Sequence, residues 1–425
     1  LTFRIQTGQK EKVDMSTPEM KTKTKTQYSV RRVHLGRTAQ LDELAHACGQ
    51  VYSRTLLFFW RTVRHKGLWL KPSHLMRLIA TDPDQLLHSH TVDATVQAFF
   101  AGLSSWRERR KTDPTARPPR HRKWYFRIEY KSSAIRLQDS LLILSNGRGK
   151  APLVLFWEWD LPQTVVIHWT GSEYEAIATY QIGKGLPEEE EVSLEKRRAA
   201  HSAGIDLGEV HPAVSCDGER AHLLNGRLLR SKRQYRNKLI ARMDAKISRC
   251  KKGGKRRRKL IRAKQKRLRK LKHQIHEIEH KQTSYLVNTL HQEGVEKLVI
   301  GDVRTIRHGL DKGSKTNQKL HQWSFGSIRH KLTYKAERLG MRVVLQEERY
   351  TSRTCPVCGH RRKSAPAGRV FRCTNRTCRW QGHRDGVGAA NIRAKYRGEF
   401  GSRHVVGAMA PPTGCGYVPQ LRVLL

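Results

Sequence analysis

Acidic residues and long hydrophobic runs are both scarce in this chain of 425 residues. Its 37 aspartates and glutamates are outnumbered by 83 lysines and arginines, which leaves a formal net charge of +46. This excess predicts a polyanionic partner, and nucleic acid fits better than lipid because no basic amphipathic helix with an aromatic face is evident. No run approaches the roughly 18 apolar residues that cross a bilayer, and the N-terminus lacks the order of a secretion signal. We therefore expect a soluble, cytoplasmic protein with no membrane partner.

The cysteine pattern does not fit a disulfide scaffold. Four of the eight cysteines are scattered, whereas Cys355, Cys358, Cys373 and Cys378 form a C-x2-C and a C-x4-C pair. Two short thiolate pairs are typical of a tetrahedral zinc site, and Gly359 suits the turn after the first pair. Four thiolates leave no open coordination position. The sequence therefore predicts a structural zinc ion that organises a basic finger.

Hydrophobic periodicity divides the N-terminal half into strands and an inserted helical region. Residues 25–36 alternate as a strand and lead into a helix at 39–65 that Thr38 caps, and apolar residues at 92–106 recur at helical spacing. Short β-rich runs at 124–182 predict a small antiparallel barrel or sandwich. The predicted segments are a disordered N-terminus at 1–24, a β-barrel at 25–37 and 120–186, a helical insert at 38–119, a linker at 187–201, an α/β domain at 202–349 and 381–397, a zinc ribbon at 350–380, and a tail at 398–425.

After the charged linker the pattern changes to a mixed α/β order. Three short strands are followed by a helical tract at 228–292, the buried strand KLVIGD, a helix at 320–339 and the strand MRVVLQE. Three strands, helix, strand, helix, strand is an α/β arrangement. The predicted fold class is thus multidomain, α/β plus β.

A basic tract lies within the predicted long helical region. Between Lys232 and Lys272 the one acidic residue is Asp244. A solvated charged face is the simplest explanation of such a run, but so dense a positive charge repels itself unless a polyanion lies along it, which favours contact with a nucleic-acid backbone. The residues predicted to make such contacts are Lys251, Lys252, Lys255, Arg256, Arg257, Arg258, Lys259, Arg262, Lys264, Lys266 and Arg267, together with Arg120, Arg122 and Lys123.

Two aspartates stand out as candidate metal ligands. Asp206 interrupts the apolar strand AGIDLG, and a buried carboxylate is costly unless it binds something. Asp385 starts a helix directly after the cysteine cluster, where an ordinary N-cap is the alternative explanation. Metal-dependent phosphodiester cleavage needs three or four carboxylates around two ions, so a third acid is required.

Four motifs resemble those of the TnpB family of transposon-encoded, RNA-guided nucleases related to type V CRISPR effectors. They are GIDLGEVHPAVSCDG, LVIGDVR, YTSRTCPVCG and HRDGVGAANI, in this order and spacing over about residues 200–397. The resemblance implies an RNase H-like (RuvC) nuclease core with an inserted zinc ribbon, and over residues 25–182 a wedge-type β-barrel interrupted by a helical recognition domain. It also implies catalytic magnesium or manganese held by Asp-Glu-Asp, a guide RNA and a target DNA.

The chain departs from the family at the second acid. The usual Ile-Glu-Asp is here Ile300-Gly301-Asp302, and Asp302 cannot simply replace the glutamate because consecutive strand residues point to opposite faces. Glu347 and Glu348, at the end of the last core strand, are the available alternatives. The Glu-x-Tyr-Thr-Ser order of lineages with a rearranged second acid favours Glu348. The resemblance then implies that Asp206 bridges two ions while Glu348 and Asp385 each complete one.

The sequence thus predicts an RNA-guided DNA endonuclease of a transposon that hydrolyses phosphodiesters with two metal ions. One alternative is a guided DNA-binding regulator whose nuclease is dead, with Glu347 and Glu348 as ordinary surface residues. Others are a transposase or accessory transposition protein, and an unguided structural protein that binds RNA or DNA. The sequence leaves the oligomeric state open, with a monomer as one option.

Overall fold

The computed structural model describes residues 24–79, 86–121, 126–187, 193–304, 306, 309, 311, 313–366, 368–402 and 415–417. The predicted disorder of residues 1–23 therefore falls outside the described residues. The elements of the N-terminal half are β1 (Thr24–Leu35), α1 (Ala39–Lys66), α2 (Pro72–Ile79), α3 (Ser89–Thr112), β2 (Ile128–Lys131), β3 (Ile135–Gln138), β4 (Leu141–Leu144), β5 (Leu153–Phe156), β6 (Thr164–Trp169) and β7 (Tyr174–Pro187).

The C-terminal half contains both helices and strands. Its elements are α4 (Leu194–Ala199), β8 (Ser202–Asp206), β9 (Val214–Cys216), β10 (Ala221–Leu223), α5 (Arg227–Ser248), α6 (Lys255–Gln292), β11 (Lys297–Asp302), α7 (Ser314–Gln322), α8 (Phe325–Arg338), β12 (Arg342–Glu347), β13 (Val370–Arg372), β14 (Gln381–His383), α9 (Arg384–Arg397) and β15 (Cys415–Tyr417). The predicted order of three strands, helix, strand, helix, strand is confirmed. None of the helices within the described segments is long and apolar enough to span a bilayer.

The N-terminal strands form two antiparallel sheets over one shared core. The first has the order β1-β7-β6-β2 and the second β3-β4-β5, and no ladder joins the two sheets among the described strands. The predicted barrel is therefore corrected to a pair of sheets. Helices α1 and α3 pack against β2 of the first sheet, and their apolar residues share a core with Tyr130 and Trp157 of the strand region. The predicted cap of α1 is confirmed, since the Thr38 side chain accepts a hydrogen bond from the amide of Leu41.

The C-terminal half is built on a six-stranded mixed sheet with the order β12-β11-β8-β9-β10-β15. Strands β8, β11 and β12 are parallel, whereas β9 is antiparallel to both of its neighbours. One face packs on α6 and α8 through Ala203, Ile205, Leu298 and Ile300. The other face carries α9, which packs on β8, β9 and β11.

Two predicted helices are each divided in the structure. The tract at 228–292 breaks between α5 and α6 in a turn where Gly253 has a φ of 81° and Gly254 caps α6. A left-handed residue cannot continue a helix, so the two helices fold back as an antiparallel hairpin. The helix predicted at 320–339 breaks before α8, where Trp323 becomes extended and is buried. There Ser324 donates a short hydrogen bond to Glu279 on α6.

The predicted linker and tail both contain secondary structure. The linker at 187–201 includes α4, which Ser193 caps and which packs against α9. In the tail, β15 pairs in parallel with β10 and so extends the mixed sheet. Periodicity did not reveal either element because each is short.

Candidate active site

Asp206 lies at the end of β8, on the face of the mixed sheet that α9 covers. A β-carbon added at Gly204 would lie 2.1 Å from the carbonyl oxygen of Ala389, and one added at Gly388 would lie 2.5 Å from Asp206 Oδ2. The two glycines therefore let strand and helix approach backbone to backbone. This close packing brings Asp206 against the first turns of α9, where Asp385 lies.

Asp385 occupies the first turn of α9 and is buried. His211 Nδ1 lies 2.7 Å from its Oδ2, and Arg369 Nη1 donates to both carboxylate oxygens at 2.9 and 3.1 Å. Burial by itself would raise the pKa of Asp385, but the hydrogen bond with His211 and the charge of Arg369 outweigh it and hold the pKa below its usual value. Asp385 is therefore an ionised carboxylate.

Glu348 follows β12 by one residue, and its side chain fills the space over Gly301. A β-carbon at position 301 would lie 1.7 Å from Glu348 Oε1 and 2.5 Å from its Cδ. Because side chains alternate along a strand, Gly301 lies on the same face as Val299, which packs against α9. Position 301 is where the family usually has its second acid. Because Gly301 has no side chain, the carboxylate of Glu348 can occupy the space beside it.

The carboxylates of Asp206 and Glu348 repel one another. Burial and the charge of Asp385 raise the pKa of Asp206 to about 7. Burial and the charges of Asp206 and Asp302 raise the pKa of Glu348 to about 8. Glu348 Oε1 is buried and has no hydrogen-bond partner among the described residues. Crowded carboxylates with such raised pKa values favour binding of a proton or a cation.

The two alternative acids are each paired with a cationic side chain. Asp302 is paired in register with Glu347 across the parallel strands β11 and β12. Its carboxylate accepts hydrogen bonds from Arg304 at 2.6–2.9 Å. The Glu347 side chain is 69% exposed and lies 3.4 Å from Lys395 Nζ. Both acids therefore already have cationic partners.

The turn after Glu348 is fixed by hydrogen bonds to its backbone. Tyr350 has a φ of 67°, and the amide and hydroxyl of Thr351 both donate to the Glu348 carbonyl oxygen, at 3.1 and 2.8 Å. Asn391 of α9 donates to the carbonyl oxygens of Thr351 and Thr354 at 2.6 and 2.8 Å. The Glu-x-Tyr-Thr-Ser order therefore has a local structural role: it anchors the end of β12 to the helix that carries Asp385.

Sequence reasoning missed three residues around Asp385. His211 lies in the loop after β8, His383 ends β14, and Arg369 precedes β13. The ring centroids of the two histidines lie 5.2 Å apart. The position of His383, two residues before Asp385, was the one signal in the sequence, because residues at such spacing around a helix start can share a site.

The four clustered cysteines converge as their spacing predicts. Their sulfur atoms all lie within 4.8 Å of one another, with Cys355 Sγ 3.9 Å from Cys378 Sγ and Cys358 Sγ 3.5 Å from Cys373 Sγ. Zn–S bonds of about 2.3 Å in a tetrahedron place sulfurs about 3.8 Å apart, so the donor set and spacing fit a zinc ion. Gly359 has a φ of 70°, as its predicted turn requires.

The predicted nucleic-acid contacts lie mostly on the hairpin of α5 and α6. Leu239, Met243, Ile247 and Leu271 form its apolar seam. Two predicted residues are engaged within the hairpin, since Arg257 donates to the Ile247 carbonyl oxygen and Lys264 pairs with Asp244. The exposed members are Lys251, Lys252, Lys255, Arg256, Arg258, Lys259, Arg262, Lys266 and Arg267. Arg120 is exposed as well, whereas Arg122 and Lys123 lie outside the described residues.

Two family models match the C-terminal half of the chain. A family described as "Probable transposase" matches residues 186–307. A family described as "Cas12f1-like, TNB domain" matches residues 325–392, which include Glu348, the four cysteines and Asp385.

Curated relatives agree with these matches. The chain is 26% identical over 266 residues to a CRISPR-associated endodeoxyribonuclease Cas12f1 of Sulfoacidibacillus thermotolerans, covering 61% of this chain and 59% of the relative. It is 30% identical over 126 residues to a TnpB-like protein of Methanocaldococcus jannaschii, covering 29% of this chain and 44% of the relative. The chain thus spans about half the length of the curated relatives that it matches.

Solved structures show the fold. A Cas12f1-sgRNA-target DNA complex matches with a TM-score of 0.52 at 12% identity, covering 83% of this chain and 81% of that one. The mini-RNA-guided endonuclease CRISPR-Cas_phi3 matches with a TM-score of 0.50 at 10% identity, covering 90% and 94%. The chain is therefore a mixed α/β protein with the fold of the type V CRISPR effectors. Together with the family models and the curated relatives, this fold confirms the resemblance to the TnpB family.

Proposed function

We propose that this chain is an RNA-guided DNA endonuclease whose active site is formed by Asp206, Glu348 and Asp385. The observation that carries the proposal is the position of Glu348, which fills the space over Gly301 beside Asp206. Without it the site would hold two acids, too few for metal-dependent phosphodiester hydrolysis.

The three carboxylates suit hard divalent cations such as Mg²⁺ or Mn²⁺. Asp206 interacts electrostatically with both Asp385 and Glu348. It would therefore bridge two ions, while Glu348 and Asp385 would each complete one. Bound divalent ions supply charge that stabilises the transition state and lower the pKa of a bound water. The three carboxylates would hold these cations.

The relatives support the choice of partners. The curated relative from Sulfoacidibacillus thermotolerans is named an endodeoxyribonuclease, and the solved Cas12f1 complex contains sgRNA and target DNA. A guide RNA and a target DNA are accordingly the partners that we propose. The exposed basic face of α6 provides the charge that a nucleic-acid backbone requires.

The active site is tested by DNA cleavage with purified protein, guide RNA, a matching plasmid and Mg²⁺. Asp206→Asn and Glu348→Gln should each reduce cleavage to background, because each removes a carboxylate that holds an ion. Glu347→Gln is the matched control: it changes the neighbouring glutamate, whose side chain is exposed, and should keep nearly full activity. Full activity of Glu348→Gln would contradict the assignment.

The same preparation separates the alternative functions. Sequencing of RNA that copurifies with the protein should give a defined guide. Guided binding without cleavage by the unmodified chain would instead indicate a nuclease-dead regulator, and joining of DNA ends would indicate a transposase.

Backbone contact by α6 is tested through the salt dependence of DNA binding. Replacing Arg256, Arg258 and Lys259 with Gln should make the slope of log affinity against log salt shallower, by about 0.9 for each phosphate that the variant no longer neutralises. Lys281→Gln is the control, because Lys281 lies on the same helix but pairs with Glu277 at 2.9 Å. An unchanged slope in the triple variant would exclude this face as the main DNA-binding surface.

A further inference from the structure

Two histidines converge on one of the proposed catalytic acids. The ligand atoms of His211, His383 and Asp385 all lie within 4.8 Å of one another. They come from three separate elements: the loop after β8, the end of β14 and the start of α9. A set of two imidazoles and one carboxylate is a donor set that holds transition-metal ions.

The hydrogen bonding of His383 and the charge of Asp385 both favour a bound cation. His383 Nδ1 is buried and has no hydrogen-bond partner among the described residues. Asp385, in contrast, already attracts positive charge, because the guanidinium of Arg369 lies 2.9 Å from its Oδ2. The Arg369 side chain is 46% exposed, so it can turn toward solvent when a metal ion takes its place. An unpartnered buried ring nitrogen and an ionised carboxylate therefore lie close enough together to share one cation.

We propose that His211, His383 and Asp385 together bind a divalent transition-metal ion, so that this position selects Mn²⁺ over Mg²⁺. The inference rests on the proposed function in that Asp385 is shared with the active site. Mg²⁺ prefers oxygen ligands and gives up its waters reluctantly, whereas imidazole suits transition metals. Asp206 and Glu348 offer oxygen alone. The two cation positions of the site are therefore chemically unlike.

The test measures metal binding by the full chain, with its cysteine cluster loaded with zinc and without nucleic acid. Mn²⁺ is titrated and followed by the loss of the free-ion signal in electron paramagnetic resonance, and Mg²⁺ is then added as competitor. We expect Mn²⁺ to bind at least about tenfold more tightly than Mg²⁺. His211→Ala with His383→Ala should weaken Mn²⁺ binding about 10- to 100-fold and Mg²⁺ binding by no more than about threefold.

Two variants serve as controls. Glu347→Gln removes an exposed carboxylate that is not one of the proposed ligands and should keep tight Mn²⁺ binding. His276→Ala with His280→Ala removes another histidine pair, on α6, whose Nε2 atoms lie 3.3 Å apart, and should leave Mn²⁺ binding unchanged. The single variant His383→Gln is used if thermal melting shows that the double alanine variant does not fold. This variant should bring the ratio of Mn²⁺ affinity to Mg²⁺ affinity closer to one.

Two results would overturn the inference. One is Mn²⁺ affinity in folded histidine variants equal to that of the unmodified chain. The other is an equal loss of Mn²⁺ and Mg²⁺ binding in the histidine variants, which would mean that the two imidazoles do not distinguish the metals. Metal binding is measured without DNA. If the chain binds Mn²⁺ selectively but does not cleave the plasmid, the proposed function is wrong and the metal-site inference stands. If the chain cleaves DNA with Mg²⁺ but binds Mn²⁺ and Mg²⁺ equally well, the metal-site inference is wrong and the proposed function stands.

Discussion

The cysteine cluster and the carboxylate cluster are assembled in different ways. The four cysteines come from residues 355–378, and two short turns bring their sulfurs within 4.8 Å of one another. The carboxylates come from β8, the turn after β12 and the start of α9, and they meet only because α9 packs directly on the mixed sheet. Local spacing determines the first cluster, whereas the packing of distant segments determines the second.

This difference affects how each cluster responds to change. A zinc ion held by the cysteine cluster would stabilise the fold directly, because its binding free energy is also folding free energy. In the carboxylate cluster, like charges repel until cations bind, so the fold sustains the site at a cost in stability. Removing a ligand should therefore destabilise the first cluster and stabilise the second.

The largest effect is expected at the cysteine cluster. Cys355→Ser with Cys358→Ser should release the zinc, because two of its four ligands are removed, and should unfold the ribbon. The ribbon shares a core with α9 through Phe371 and Val387, so DNA cleavage should fall to background as well. Zinc content by mass spectrometry and thermal melting check this.

The matched control for that variant is Cys250→Ser, which changes a partly exposed cysteine in the turn after α5. It should keep its zinc and its melting temperature. A double cysteine variant that melts and cleaves like the unmodified chain would show that the ribbon does not depend on the ion.

An intermediate effect is expected at Gly301. Any side chain at position 301 would compete with the side chain of Glu348 for the same space. Gly301→Ala puts a methyl group in the position of the Glu348 carboxylate, which is the end of a flexible side chain and will be displaced. Cleavage should therefore fall strongly, while stability changes by at most about 1–3 kcal/mol. Kinetics of plasmid cleavage and thermal melting measure the two quantities.

A compensating exchange sharpens this test. Gly301→Glu with Glu348→Gly restores the acid order usual in the family and should recover part of the cleavage that either single change removes. Activity of the double variant no higher than that of the worse single variant would mean that the two positions are not equivalent.

The smallest effect is the pH dependence of stability without added divalent ions. The folded-state pKa values of Asp206 and Glu348, about 7 and about 8, lie above their ordinary values of 3.8 and 4.5. The folded chain therefore holds protons that the unfolded chain releases, so stability declines as pH rises from about 4 to about 8. Glu348→Gln should raise the melting temperature at pH 8 by a few degrees and change it little at pH 4.

Glu347→Gln is the control for this measurement, because its exposed carboxylate should give no such pH dependence. Adding Mg²⁺ should remove the advantage of Glu348→Gln, since the cation then offsets the repulsion that the amide relieves. An advantage of equal size at both pH values would mean that the substitution acts through packing instead of charge.

Much of the architecture followed from sequence patterns. Strand β1, the cap of α1, strands β11 and β12 and the start of α9 lie where alternation, capping and charge predicted them. The breaks between α5 and α6 and between α7 and α8 did not follow, because each depends on a partner outside the segment. Ser324 meets Glu279 and Arg233 across two helices, and Trp323 turns inward to be buried.

The second acid illustrates the limit of sequence patterns most clearly. The glycine at 301 and the glutamates at 347 and 348 were visible in the sequence, but their relative positions were not. Side-chain alternation places Gly301 on the face that α9 covers, and the strand register places Glu347 beside Asp302. The histidines beside Asp385 also escaped notice, since the loop that carries His211 is distant in the chain.

The sequence by itself predicted the class of partner and singled out the four cysteines and the two aspartates, because charge excess, ligand spacing and a buried acid are properties of short segments. The tertiary structure decided which glutamate lies beside Asp206 and which imidazoles lie beside Asp385. Such contacts depend on how closely β8 and α9 approach through Gly204 and Gly388, and only the packed sheet fixes that distance.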